Sequence, residues 1–128
     1  MPSTRIVTGS WADDCRPAVL EAVCKALSLA LKLPEWDKDI VIDIYDENSR
    51  IYPAGRTERY TRVETTLFPG RSLEAKRALF RAIVDNLGEL GVPPTDVKIT
   101  LIEVSQENWG LRGGYPASEI DLGFKIDV

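Results

Sequence analysis

The sequence predicts an α/β fold, more closely α+β, in which duplicated βαβ units form a four-stranded mixed sheet with two helices on one face. Two segments, at about 16–32 and 72–90, carry apolar residues at three- and four-residue steps, which is the spacing of one helix face. Each is flanked by short runs rich in Ile, Val and Thr, which are typical of strands. Right-handed crossovers would place both helices on the same side of the sheet.

The first half of the chain predicts a strand, a helix and a second strand. The strand covers residues 3–8, and a turn with capping residues leads into the helix. Pro17 fits the first helical turn, where a missing N–H costs little, and Leu33-Pro34 ends the helix. The second strand follows at 40–45. The helix face is formed by Leu20, Val23, Leu27 and Leu31.

The second half repeats this order after a polar segment, 46–59, that predicts a loop or a short extended hairpin. A third strand is expected over 60–68. Ser72 can cap the second helix, because its side-chain oxygen can accept a hydrogen bond from a free backbone N–H of the first turn. The fourth strand is expected over 97–104. The second helix presents Leu79, Ile83, Leu87 and Leu90 on one face.

The two halves are related by a shift of 59 positions. This shift carries Leu33-Pro34 onto Val92-Pro93 and Ile40 onto Ile99. We therefore expect one domain over 1–128 that contains two pseudo-repeats, at about 2–46 and 60–104.

One face of the predicted sheet has no helix to cover it. Its residues include Val41 and Ile102, and a large exposed apolar surface indicates an interaction site. Residues 120–128 alternate between apolar and polar side chains, which predicts a C-terminal strand. This strand could pair within its own chain or add to the sheet edge of a neighbouring subunit. We expect the neighbour, and with it an oligomer that covers the open face.

Composition and charge exclude several classes of function. The net charge of −4 argues against nonspecific binding to nucleic acid or to an anionic membrane. No apolar run approaches the roughly 20 residues of a membrane span, and the start lacks the basic and apolar regions of a signal peptide. We therefore expect a cytoplasmic protein.

The chain contains no histidine, which excludes Ser-His and Cys-His nucleophile pairs and argues against a catalytic zinc site. Its two cysteines, Cys15 and Cys24, do not have metal-ligand spacing, and we interpret them as small side chains of a helix. We expect no metal. Proton transfer must then depend on carboxylates, Tyr, Lys, Cys or the N-terminal amine.

The N-terminus offers an unusual proton-transfer group. Processing commonly removes an initiator Met before a small residue, and here that would leave Pro2 with a free secondary amine. An unperturbed α-amino group titrates at about 7.7–8.0. Burial or nearby cations would lower this pKa toward neutrality. Such an amine could act as a general base or a general acid.

Several motifs along the chain resemble those of the tautomerase superfamily, whose members begin with a catalytic proline and are built from βαβ units. The likeness runs nearly end to end, and fused-repeat members such as malonate semialdehyde decarboxylase and dehalogenase-like proteins have this length. The motifs are Met1-Pro2 before a strand, Leu33-Pro34-Glu35-Trp36-Asp37, Gly55-Arg56-Thr57, Gly70-Arg71-Ser72 with Lys76, and Glu103-Val104 before Glu107-Asn108-Trp109-Gly110.

The resemblance implies a role for five residues. Pro2 matches the catalytic N-terminal proline, and Arg71 matches an arginine that holds a substrate carboxylate. Asp37 matches the carboxylate that helps to activate water in decarboxylase-like members, and Trp109 matches an aromatic residue on the pocket wall. The decarboxylase pattern has two arginines around this turn and the present chain keeps only the second, so Arg112 is a candidate substitute. Asp37 has a counterpart in Asp96, and this symmetry favours a structural turn role for both.

The resemblance also implies the chemistry and the assembly. We expect a cofactor-free, homotrimeric tautomerase that acts on a small carboxylate-bearing keto or enol acid. A decarboxylase, hydratase or dehalogenase of the same fold is the alternative, in which protonated Pro2 acts with water activated by Asp37. A catalytically silent trimeric binding module is the third possibility.

Overall fold

The computed structural model describes residues 1–128 and contains two helices, a four-stranded sheet and a small two-stranded sheet. The elements are β1 (Ser3–Gly9), α1 (Arg16–Leu31), β2 (Ile40–Tyr45), β3 (Thr61–Leu67), α2 (Leu73–Gly88), β4 (Val97–Glu103), β5 (Gly110–Leu111) and β6 (Tyr115–Pro116). Short 3-10 turns precede α1 and β4 and surround the β5–β6 hairpin. The polar segment 46–59 contains no strand, so it is a loop.

The large sheet has the strand order β2-β1-β3-β4. Strand β1 pairs with β2 in parallel and β3 pairs with β4 in parallel, whereas the central pair β1–β3 is antiparallel. This arrangement confirms the predicted mixed sheet of two βαβ units. Since β1 and β3 run in opposite directions, the two repeats begin at opposite ends of the sheet.

The 59-residue repeat is conserved in hydrogen bonding as well as in sequence. Thr4 pairs with Ile40 in the first repeat, and Val63 pairs with Ile99 in the second. The turn before each second strand is closed in the same way, because Asp37 N donates to Pro34 O at 3.0 Å and Asp96 N donates to Pro93 O at 2.9 Å. Both repeats therefore present an aspartate at the same point of the fold.

The helices begin where the sequence predicts, and most of their predicted apolar faces are buried, although Leu20 and Leu90 are only partly buried and Leu90 lies beyond the end of α2. Pro17 lies in the first turn of α1, and the Ser72 side chain accepts a hydrogen bond from Ala75 N at the start of α2. The two helices contact each other and cover one face of the sheet, enclosing a single apolar core. Burying each large apolar side chain contributes about 1.5–3 kcal/mol. The fully buried side chains of this core include Ile6, Val19, Val23, Leu31, Val63, Leu67, Leu79, Ile83 and Leu87.

The opposite face of the sheet carries no helix. Val41 is 54% exposed and Ile102 is 44% exposed on this face, which also carries the ion pair between Arg5 and Asp43. The side chains are thus mixed rather than uniformly polar. Neither helix of the chain is long and apolar enough to cross a membrane.

The C-terminal segment differs from the prediction. Residues 120–128 form no strand within the single chain, so the possibility that this segment pairs with a strand of its own chain is wrong. The alternating run is broken at Gly123, whose φ of +78° is left-handed and whose N–H donates to the Asp121 side chain at 2.9 Å. The tail crosses to the start of α2, where Ser72 N donates to Val128 O at 2.9 Å. Pairing with a neighbouring subunit stays a prediction.

Candidate active site

A cavity of about 170 Å³ lies at the edge of the sheet where β1 and β2 begin. These strands are parallel, so their first residues lie side by side, and Thr4 N donates to Asp39 O at 3.0 Å. The Ser3 hydroxyl donates to the Asp39 carboxylate at 2.9 Å. The cavity is lined by Met1, Pro2, Ser3, Trp36, Asp37, Lys38, Asp39, Trp109 and Leu111.

The carboxylate of Asp37 lies beside the amino terminus. Asp37 is 7% exposed, and its Oδ2 lies 3.8 Å from the Met1 amine. No protein group donates a hydrogen bond to this buried oxygen. Burial raises the pKa of Asp37, because it disfavours the charged form, while the positive amino terminus and Arg71 oppose the rise. The carboxylate is therefore a buried acceptor with unused capacity.

The amino terminus lies in an environment that disfavours its charge. Pro2 is buried, and because Met1 precedes it here, its nitrogen is an amide and the free amine belongs to Met1. The pKa of this Met1 amine is lowered from 8.0 to about 6, chiefly because burial disfavours its charged form; Asp37 opposes this shift and the positive charge of Arg71 adds to it. Removal of Met1 would leave a free amine on Pro2, which lines the same cavity as Asp37.

Arg71 lies on the turn between β3 and α2 and is 5% exposed. Its Nη1 donates to Phe68 O at 3.2 Å, whereas its buried Nε and Nη2 have no hydrogen-bond partner within the chain. Burial lowers the pKa of Arg71, and the carboxylates of Asp37 and Glu103 oppose this effect. Arg71 does not line the cavity, but its charge acts on the amino terminus.

Trp109 forms part of the cavity wall. Its indole Nε1 donates to Val104 O at 3.0 Å, and its ring packs edge-on against buried Phe68 with centroids 5.0 Å apart. These two contacts fix the orientation of the indole. Because Phe68 also provides the carbonyl that binds Arg71, Trp109 and Arg71 are held by one residue.

Arg112 lies apart from this group. It is exposed, its Nη1 donates to the backbone oxygen of Asp121 at 2.9 Å, and it does not line the cavity. Within one chain its contacts tie the β5–β6 loop to the C-terminal segment. The structure thus brings Pro2, Asp37 and Trp109 together, with Arg71 close enough to act by charge, and it leaves Arg112 outside.

Trp36 is a further cavity residue, and its residue type alone indicates no role. Its side chain is 58% exposed although it lines the cavity, and the tail residue Gly123 lies close to its indole ring. The available signal was its place directly before Asp37. Ser3 and Leu111 also line the cavity, and nothing in their residue types or spacing indicated this.

The repeat-equivalent aspartate has different surroundings. Asp96 is 1% exposed, and its carboxylate accepts hydrogen bonds from the backbone N–H and the hydroxyl of Thr57. It fastens the loop 46–59 to the start of β4. Asp96 therefore has the structural turn role that the symmetry of the repeats indicates. The Asp37 carboxylate, in contrast, accepts no hydrogen bond from another side chain or loop.

Together these groups can move protons and hold an anion. A terminal amine with a lowered pKa exchanges protons near neutral pH, which is where a general base or acid is most effective. A buried arginine with free donors can bind a carboxylate through two parallel hydrogen bonds. The adjacent carboxylate can orient a water molecule or a second proton.

A family model described as a tautomerase enzyme matches residues 37–112 of the chain. A probable tautomerase of Bacillus subtilis (strain 168), YusQ, is 32% identical over 90 residues, which cover 66% of this chain and 71% of that protein. The two chains are thus related over most of their lengths.

Solved structures of similar proteins share the fold of this chain. The FG41 malonate semialdehyde decarboxylase inhibited by 3-bromopropiolate has a TM-score of 0.80 with 28% identity, covering 89% of this chain and 92% of that chain. A fused 4-OT that forms a symmetric trimer has a TM-score of 0.79 with 21% identity, covering 90% of this chain and 95% of that chain. At 21% identity, the similarity to the fused 4-OT shows a shared fold only.

Proposed function

The chain belongs to the tautomerase family, and we propose that it is a cofactor-free tautomerase in which the Pro2 amine, freed by removal of Met1, transfers a proton on a small carboxylate-bearing keto or enol acid. The observation that carries this proposal is the buried amino terminus, whose pKa is lowered to about 6 beside Asp37 and within the field of Arg71. That value belongs to the Met1 amine; a Pro2 amine whose pKa is lowered by the same burial would be mostly unprotonated at neutral pH and could accept a proton.

The proposed reaction is a proton shift. The neutral Pro2 nitrogen removes a proton from the carbon next to the substrate carbonyl, and the bonding electrons move to the carbonyl oxygen as an enolate. The protonated amine then returns the proton to that oxygen, which completes the keto-to-enol conversion. The reverse sequence converts enol to keto. No electron leaves the substrate, so this chemistry needs no cofactor.

Arg71 is proposed to bind the carboxylate and to stabilise the enolate. Its buried Nε and Nη2 have no partner within the chain, so they are free to donate to an anion. Preorganised donors that face a developing negative charge commonly contribute a factor of about 100–1,000 to the rate. Loss of Met1, which itself lines the cavity, would enlarge the space beside Pro2 and Asp37. Trp109 would form the wall against which a planar substrate lies.

A decarboxylase, hydratase or dehalogenase is the second candidate, and the position of Asp37 supports it. In this reaction Pro2 stays protonated and acts as an acid, while the Asp37 carboxylate orients a water for attack on the substrate. The free Oδ2 of Asp37 lies 3.8 Å from the terminal amine, which suits a water-activating base next to an acid. The 28% identity to a malonate semialdehyde decarboxylase supports the same reading.

We further propose that 1–128 is one domain and that three copies assemble as a homotrimer. The open sheet face with exposed Val41 and Ile102 supports this assembly, as does the symmetric trimer of the fused 4-OT. In the third reading, the trimer is a binding module without turnover.

Steady-state assays with phenylpyruvate and with small unsaturated acids distinguish these readings. A tautomerase converts the enol of phenylpyruvate and loses activity in Pro2→Ala. A hydratase or dehalogenase instead consumes the unsaturated acids, a decarboxylase consumes a 3-oxo acid supplied in the same series, and each requires Asp37. A trimer that turns over neither class of substrate contradicts both enzymatic readings and leaves the binding module.

A further inference from the structure

A second cavity, of about 420 Å³, lies at the opposite end of the open sheet face, where the second repeat begins. It is enclosed between the first residues of β3 and β4 and the loop 46–59. Its lining residues are Val7, Ser49, Arg50, Ile51, Tyr52, Pro53, Tyr60, Arg62 and Lys98.

This cavity is the repeat-equivalent of the Pro2 cavity, but with opposite charge. The 59-residue shift carries Ser3 onto Arg62 and Asp39 onto Lys98. The Pro2 cavity is lined by two aspartates and one lysine, whereas the second cavity is lined by three cations and no carboxylate. In a chain with a net charge of −4, such a local concentration of positive charge calls for a specific explanation.

Arg62 and Lys98 are directly paired across β3 and β4. Like charges held side by side on neighbouring strands repel each other. The only carboxylate close to Arg62 is that of Glu64, at 4.0 Å, and Lys98 makes no ion pair within the chain. An anion bound between the two side chains would remove this repulsion.

Arg50 lines the cavity and is held in place by several contacts. Its side chain is 11% exposed, its Nη1 donates to Tyr60 O at 2.8 Å, and its guanidinium lies 4.9 Å from the Tyr52 ring centroid. The Tyr52 and Tyr60 rings stack with centroids 6.0 Å apart. Glu47 lies 3.3 Å from Arg50 and balances part of its charge. Arg62 and Lys98 are exposed in the single chain at the end of the sheet face that the proposed trimer would cover, so they are available to a ligand where the cavity stays open at the edge of that interface.

We propose that the second cavity binds a small oxyanion with two or more negative charges, of the carboxylate or phosphate class, separately from the Pro2 cavity. Arg62 would bind it through its planar fork and Lys98 as a point charge. The tyrosines would form the adjoining wall. The duplicated fold would then carry two sites with different functions, one for proton transfer and one for anion binding.

Titration calorimetry with citrate and with inorganic pyrophosphate, at low salt, tests this proposal on the native assembly. Binding of one or both probes is expected, and comparison of the two identifies the preferred class. Lys98→Gln should weaken the binding at least about tenfold, because a charge-assisted hydrogen bond is lost. The control Lys25→Gln, on α1 and paired with Glu21, should bind like the wild type. Pro2→Ala should also bind normally, even if it is inactive.

Amide chemical shifts identify the place of binding. Supporting data are shifts centred on Tyr60, Arg62 and Lys98. Shifts centred on Trp109 and the Arg71 turn would instead place the anion in the proposed substrate site and overturn the proposal. Equal affinity of Lys98→Gln and Lys25→Gln, or no heat with either probe, would overturn it too. If Lys98→Gln only alters the oligomeric state, the cations serve subunit contact and the proposal is wrong.

Discussion

Asp37 and Asp96 occupy equivalent positions in the two repeats, but only the Asp96 carboxylate is bound by another side chain. Asp96 accepts hydrogen bonds from the N–H and hydroxyl of Thr57, whereas the buried Oδ2 of Asp37 has no donor and faces the terminal amine at 3.8 Å. Of these two equivalent aspartates, Asp96 is fixed by hydrogen bonds from Thr57, whereas Asp37 keeps a buried oxygen with no hydrogen-bond donor.

Paired amide substitutions test this division. Asp96→Asn should lower the free energy of unfolding by about 1–3 kcal/mol, because buried hydrogen bonds to a charged acceptor are weakened. Asp37→Asn should cost much less stability, since no hydrogen bond to its Oδ2 is lost. Denaturant unfolding and kcat/KM, measured on both variants, check these expectations. An Asp37→Asn variant that is as unstable as Asp96→Asn, with unaltered kinetics, would assign both residues to structure.

The pH dependence of kcat/KM follows from the lowered amine pKa. A base must lose its proton to act, so if burial lowers the pKa of the Pro2 amine as it does that of Met1, activity should rise with pH through an acid limb below the ordinary value of about 8. Asp37→Asn should move this limb to lower pH, because Asp37 raises the pKa of the amine. A profile in which activity falls as pH rises through the same region would instead favour the protonated amine and the hydratase-type reaction.

In the form that retains Met1, the lowered pKa of the Met1 amine should make the free energy of unfolding depend on pH. This amine has a pKa of about 6 in the folded chain and 8.0 as the reference value, so the unfolded chain binds more protons between these values. The free energy of unfolding should therefore increase as the pH rises from about 6 to 8. Urea unfolding across this window measures the trend, with an N-terminally acetylated sample as the control. The contribution should be absent from the acetylated chain.

Replacement of Arg71 should remove carboxylate binding. We expect Arg71→Ala to reduce kcat/KM by about 100-fold or more, since both substrate affinity and enolate stabilisation depend on the guanidinium. Arg71→Lys should recover little of the lost kcat/KM, because the point charge of a lysine does not reproduce the planar fork of the guanidinium. Arg112→Ala is the matched control and should leave kcat/KM nearly unchanged. Equal losses in the Arg71 and Arg112 variants would show that Arg112 also takes part.

A charge on the open sheet face should disrupt the trimer. Val41→Asp places a carboxylate where the assembly would bury it, and burial of an unpaired charge is costly. Leu29→Asp is the control, because Leu29 is 78% exposed on α1, away from the open sheet face. Sedimentation should show trimers for the wild type and Leu29→Asp and smaller species for Val41→Asp. A wild-type protein that sediments as a monomer would contradict the assembly.

The fold could be predicted from the sequence because its signals are local and repeated. Helical periodicity, the Ser72 cap and the Leu33-Pro34 and Val92-Pro93 turns each indicate one element, and the 59-residue shift relates the elements to each other. The tail was predicted less well. Its alternation between apolar and polar residues indicated a strand, but the Asp121 to Gly123 turn breaks the run, and the partner edge is absent from the single chain.

The site could be predicted only in part. Motif order pointed to Pro2, Asp37 and Trp109, which line one cavity, and to Arg71 beside them. The different surroundings of Asp37 and Asp96 could not be predicted, because the partner of Asp96 comes from a loop 39 residues earlier in the chain. The position of Arg112 could not be predicted either, because it depends on a left-handed backbone at φ +48° and on a side-chain hydrogen bond to Asp121 O in the tail.

The most direct test of the central claim is the kcat/KM of Pro2→Ala for phenylpyruvate tautomerisation, in protein whose loss of Met1 has been verified by intact mass. Alanine replaces the rigid secondary amine by a flexible primary one and leaves Arg71 and Asp37 in place. We expect a loss of at least about tenfold, because positioned proton transfer contributes about 100- to 10,000-fold. An unchanged kcat/KM, or full activity in protein that retains Met1, would contradict the role of the Pro2 amine.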